Sequence, residues 1–74
     1  MKLPLLSSRE LCTFLEKEGF RLVRQRGSHR FYQHTDGRTT VVPVHSGKDI
    51  SKGLLRAILE EIDMTREEFF EKYR

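Results

Sequence analysis

Residues 20 to 44 constrain the fold more tightly than any other part of the chain. Phe20-Arg21-Leu22-Val23-Arg24-Gln25, His29-Arg30-Phe31-Tyr32-Gln33-His34 and Thr39-Thr40-Val41-Val42-Pro43-Val44 are three stretches of strand-forming residues. Only short breaks part them, marked by Gly27-Ser28 and Asp36-Gly37. A parallel crossover needs a dozen or more residues, so these strands must follow one another as antiparallel hairpins. Pro43 lacks an amide hydrogen, which places the end of the third strand at an edge or a terminus.

Helical patterns flank this meander. Ser7 followed by Glu10 has capping-box spacing, and Leu6 with Leu11 supplies a hydrophobic staple. Leu11, Phe14, Leu15 and Glu18 continue a period near 3.6 until Gly19, a residue suited to the left-handed position after a helix, so a helix is expected over roughly 8 to 18. After a polar loop, His45-Ser46-Gly47-Lys48-Asp49, a second apolar stripe runs through Leu54, Leu55, Ile58, Leu59 and Ile62, with Ser51 as N-cap. Thr65 and Glu68 repeat the capping-box spacing before Phe69, Phe70 and Tyr73, which predicts a short third helix. The expected architecture is α+β: an α-β-β-β-α order, a three-stranded antiparallel sheet with helices on one face, and a short C-terminal helix.

Seventy-four residues, 36% of them apolar and none tryptophan, make one small domain over 1–74 and exclude a large multi-domain enzyme. The single cysteine, Cys12, cannot form an internal disulfide and falls in a helical apolar pattern, as in a protein of the reducing cytoplasm. The apolar run at the N-terminus is too short for a signal peptide, and no run approaches the roughly eighteen apolar residues of a membrane span. No membrane partner is expected.

Charge is segregated along the chain. Residues 1–19 balance, residues 20–53 carry seven basic against two acidic side chains for a net +5, and residues 54–74 carry a net −2. Five of those seven are arginine, whose planar fork suits phosphate oxygens. A polyanionic partner is the natural expectation.

Within the basic third, Gly27-Ser28-His29 is flanked by Arg24, Arg26 and Arg30. Histidine takes or gives a proton near neutral pH, and arginine stabilises charge on phosphate oxygens. The amides of Gly27 and Ser28 can also meet a phosphate. RNA brings its own nucleophile, the 2′-hydroxyl, so one histidine and a few cations are sufficient parts for its cleavage. Ser28 lacks an acidic orienting partner for a nucleophilic triad, Cys12 reads as a packing residue, and Cys12, His29, His34 and His45 lack paired metal-ligand spacing. Neither a metal nor a small-molecule cofactor is expected.

Strand alternation places His29, Phe31 and Gln33 on one face and Arg30, Tyr32 and His34 on the other. Two packings are compatible with it. With Tyr32 under the helices, Phe31 stands beside His29 and can stack a base. With Phe31 in the core, a bulge at Gly27-Ser28 is needed to re-aim His29. His34 reads as a turn residue, and His45 either contacts phosphate near the second helix or is an ordinary loop residue.

Gly19-Phe20, Arg24-Gln25-Arg26-Gly27-Ser28-His29, Asp36-Gly37-Arg38, Val42-Pro43-Val44-His45 and Lys52-Gly53-Leu54-Leu55-Arg56-Ala57-Ile58-Leu59 together resemble the HicA toxins of type II toxin–antitoxin systems. The resemblance implies a double-stranded-RNA-binding-domain-like fold. It also implies a metal-independent mRNA interferase that acts without the ribosome, with His29 catalytic and a HicB-type antitoxin as partner. Two departures stand out. Leu54 occupies a position where many relatives carry threonine, and the start of the second helix offers only Lys48 and Lys52 instead of a dense lysine cluster. Shared shape need not mean shared ligand.

The sequence thus points to an RNA-cleaving toxin in which His29 is general acid or base. The RNA-binding residues would be Arg24, Arg26, Gly27, Ser28, Arg30 and Phe31 with Lys48 and Lys52, and the substrate mRNA. A non-catalytic RNA-binding module, and a chain whose main role is to dock on its antitoxin, are the alternatives.

Overall fold

The computed structural model describes residues 2–45 and 48–73, so Ser46 and Gly47 of the expected polar loop lie outside the described residues. The elements in chain order are β1 (Leu6–Ser7), α1 (Ser8–Lys17), β2 (Arg21–Arg26), β3 (His29–Gln33), β4 (Thr39–Pro43), β5 (Asp49–Ile50), α2 (Lys52–Glu61) and α3 (Arg66–Lys72). The expected α-β-β-β-α arrangement with a short C-terminal helix is what the chain forms.

Local chemistry explains the ends of the helices. At α1 the Ser7 hydroxyl accepts from the Glu10 amide at 3.0 Å, and the Glu10 carboxylate accepts from the Ser7 amide at 2.9 Å. At its far end Gly19 sits at φ +94°, and Phe20 N–H donates to Leu15 O at 3.0 Å while Gly19 N–H donates to Glu16 O at 3.2 Å. That pair of bonds is a Schellman closure. The same closure ends α2, with Met64 N–H donating to Leu59 O and Asp63 in the left-handed position at φ +56°. The second capping box, Thr65 with Glu68, opens α3.

The sheet order is β2-β3-β4, antiparallel throughout. A two-residue connection, Gly27-Ser28 with Gly27 at φ +57°, joins β2 to β3. The β3–β4 turn is closed by His34 N–H to Arg38 O at 2.9 Å and Gly37 N–H to His34 O at 3.0 Å. Arg38 fastens this turn to the helical layer. Its Nε meets Asp36 Oδ2 at 2.8 Å, its guanidinium donates to Ile62 O at the end of α2, and it lies 5.1 Å from the Phe20 ring centroid.

One element departs from expectation. Asp49, placed by the sequence in a loop, belongs to β5, which pairs with β1 through Leu6 opposite Ile50 and Ser7 opposite Asp49. Leu6 and Ile50 are both buried, so burial of these two side chains accompanies a pairing too short to have its own periodicity.

The core lies between the sheet and the helices. Tyr32 and Val42 from the sheet meet Leu11, Cys12, Phe14 and Leu15 of α1 and Leu55, Ile58 and Leu59 of α2. Phe69 of α3 completes it edge-on to Phe14, with centroids 5.1 Å apart. Full burial of such a side chain contributes roughly 1.5–3 kcal/mol. The buried hydroxyls are satisfied: Ser8 donates to Pro43 O at 3.0 Å, and Thr40 donates to Glu61 at 2.7 Å. Among the described residues no helix is long and apolar enough to cross a membrane.

Candidate nucleic-acid interface

Tyr32 is fully buried, and this decides which side of the sheet is open. Directly paired residues of neighbouring strands point to the same side. The rows on the side away from Tyr32 are therefore Arg26, His29 and Pro43, then Arg24, Phe31 and Val41, then Arg21, Gln33 and Thr39. His29, Arg24 and Arg26 are exposed, while Phe31 is half-buried. Of the two packings the sequence allowed, the first is the one formed, with Phe31 on the His29 face.

Arg26 is the cross-strand partner of His29, and the guanidinium carbon of Arg24 lies 4.7 Å from the Phe31 ring centroid. That is cation–π distance, so the arginine is held over an aromatic surface. The Gly27-Ser28 turn that starts β3 is tied on both sides. Gln25 donates its side-chain amide to Gly27 O at 3.2 Å, and Ser28 O accepts from Val44 N–H at 2.6 Å. A Cβ at Gly27 would meet no heavy atom within 4 Å, so the glycine answers the turn's positive φ while its backbone remains approachable. An exposed imidazole on a fixed strand end, with an arginine as its cross-strand partner and another in the next row, has the parts for proton transfer next to a bound phosphate.

Arg30 does not join this group. It pairs with Gln25 and Val42 on the face that carries Tyr32, and its Nε is buried with no hydrogen-bond partner among the described residues. Its interaction with Tyr32 raises the guanidinium pKa further above its usual value. Burial pushes the Tyr32 phenol up, proximity to Cys12 adds to the rise, and Arg30 opposes it. The phenol donates to Glu16 at 3.2 Å. Arg30 is thus part of a polar seam between β3 and α1, behind the face that holds His29.

The two lysines are also elsewhere. Lys48 lines a cleft of about 560 Å³ with Ser7, Ser8, Arg9, Val44, His45 and Asp49, and its amide donates to His45 O at 3.2 Å. Lys52 is the first residue of α2. His34 serves the hairpin, its Nδ1 accepting from the Asp36 amide at 3.2 Å and its ring set edge-on to Phe20. Cys12 is buried in the core. Among the described residues no three His, Cys, Asp or Glu side chains converge in a way that would hold a metal ion.

One residue of the open face escaped the sequence reading. Simple alternation puts Arg21 on the opposite side from Arg24 and Arg26. The register shifts between Leu22 and Arg24, with Val23 left without a partner in β3, and this bulge returns Arg21 to the His29 face. Arg21, Arg24 and Arg26 consequently form a row along one side of β2. No residue type at Leu22-Val23 marks the bulge in advance.

The family model described as "HicA toxin of bacterial toxin-antitoxin" matches residues 8–64, most of the chain. The chain belongs to the HicA toxin family. No curated protein matches it in sequence. The HicA match includes every residue of the open sheet face and stops before α3, whose Phe69 nonetheless closes the core of this HicA toxin.

Proposed function

We infer that this toxin is an endoribonuclease that cleaves messenger RNA without a metal ion, using His29 as its catalytic acid or base. The observation that carries the reading is the pairing of His29 with Arg26 on an open sheet face that also holds Arg24 against Phe31. In this reading Arg21 and Arg26 hold the phosphates, and the Phe31 ring with the Arg24 guanidinium over it offers the surface on which a base stacks, the guanidinium giving way to the base or stacking with it. His29 takes the proton from the 2′-hydroxyl or gives one to the departing 5′-oxygen. A HicB-type antitoxin restrains the activity in the cytoplasm. Lys48 and Lys52 can only add phosphate contacts outside the sheet, and Arg30 supports the strand from behind.

The test is cleavage of single-stranded RNA by the purified chain in the presence of a chelator. Wild-type protein is expected to cut, and His29→Ala to lose roughly 10²- to 10⁴-fold in rate with binding kept. A substrate with deoxyribose at the cut position is expected to bind and stay intact. Full activity in His29→Ala would overturn the assignment, and tight binding with intact RNA would leave the non-catalytic binding module as the better account.

A further inference from the structure

β2 forms one edge of the three-stranded sheet, and all six of its residues are exposed. A strand in that position turns alternate backbone N–H and C=O groups toward solvent. Apolar surface collects on the same strand. Among the described residues the large hydrophobic side chains that stand exposed are Leu5, Leu22 at 43% and Val23 at 54%, and the latter two are neighbours at the β2 bulge. Arg21, Arg24 and Arg26 add a row of positive charge along one side, and no acidic residue occurs between residues 20 and 35 to offset it.

These three properties suit an extended, acidic polypeptide segment. Resting on the reading of the open face as the RNA site, we propose that a protein partner inhibits this toxin by adding an acidic strand to the edge of β2. The backbone of that strand extends the ladder, one row of its side chains sets carboxylates among Arg21, Arg24 and Arg26, and the other row covers Leu22. Strands in a sheet lie about 4.8 Å apart, so the added strand stands two spacings from β3. Its carboxylates reach the arginines before they reach His29. Inhibition therefore works by occupying the phosphate-binding charges and does not need contact with the imidazole.

Other occupants fit less well. A second copy of the chain paired through β2 would set arginine against arginine, which destabilises a cross-strand pair. RNA has no peptide backbone to continue the ladder and gains nothing from Leu22.

The probe is a blocked synthetic peptide of about ten alternating Glu and Val residues, with a Lys and Val peptide as control, titrated into the isotope-labelled full chain. Expected are amide shifts and slowed hydrogen exchange confined to Arg21–Arg26, and about a tenfold or greater fall in RNA cleavage at saturation. The Lys peptide is expected to do neither. Val23→Glu, outside the RNA-binding set, is expected to weaken the Glu peptide about tenfold while cleavage stays within about twofold. No shift at about 1 mM peptide, equal binding of the Lys peptide, shifts that avoid β2, or self-association through β2 would each overturn the proposal. If the peptide pairs with β2 but the wild-type chain never cuts RNA, the ribonuclease reading fails alone; if the chain cuts RNA and nothing pairs with β2, this inference fails alone.

Discussion

His29 and Arg30 are adjacent in the chain and opposite in placement. One faces solvent beside Arg26, the other reaches back to Tyr32 and leaves its Nε buried with no partner among the described residues. Three carboxylates at turns and caps carry a pH signature. Glu10 and Glu68 are held below their ordinary value of 4.5, chiefly by the backbone N–H groups of Ser7 and Thr65. Asp36 is held below 3.8, first by the Arg38 amide and then by its side chain. Because the folded pKa values are depressed, the stability these groups contribute is fully present above their ordinary values and is lost as pH falls through the folded ones. A variant with Glu10→Gln, Glu68→Gln and Asp36→Asn is thus expected to melt below wild type at neutral pH, with the gap closing in acid. Thermal melts across pH check this, and a gap that stays constant with pH would refute it.

At the scale of elements, α1 and α2 end in the same closure with different residues in the left-handed position, Gly19 and Asp63. The two sites should respond oppositely. Gly19→Ala meets both a positive φ of 94° and the His34 ring, whose Nε2 would be 2.9 Å from the new Cβ, so a loss of about 1–2 kcal/mol or more is expected. Asp63→Gly relieves the left-handed strain and is expected to raise stability by up to about 1 kcal/mol. Denaturant unfolding measures both, and equal signs would refute the argument. The contrast also shows which elements are legible in sequence. The capping boxes, Gly19 and Asp36-Gly37 encode their structure within a few residues, so they can be read directly. The β1–β5 pairing joins residues over forty positions apart, and the β2 bulge at Leu22–Arg24 falls among ordinary strand formers. Neither has a local signature, and with the bulge hidden Arg21 could not be assigned to the open face. The placement of Arg30 is legible, since alternation alone puts it on the face of Tyr32.

For the whole molecule, the net +5 of residues 20–53 resolves into distinct surfaces: a row of three arginines on the open face, with Arg30, Arg38, Lys48 and Lys52 placed elsewhere. Each phosphate contact on single-stranded RNA contributes about −0.7 to the slope of log affinity against log salt, so Arg21 and Arg26 together predict a slope of about −1.4. Arg21→Gln is expected to reduce its magnitude by about 0.7, as Arg26→Gln would, and Arg30→Met to leave it almost unchanged. Filter-binding titrations over a salt series decide this; a larger effect from Arg30 than from Arg21 would show that RNA binds another face. The openness of the His29 face bears on potency. Water that surrounds exposed guanidinium groups weakens their pull on developing negative charge, whereas a dry cleft would strengthen it. On the proposed ribonuclease reading, an enzyme built this way is a slow worker, and the harm it does to a cell depends on how many copies are free and for how long, more than on the speed of any one of them.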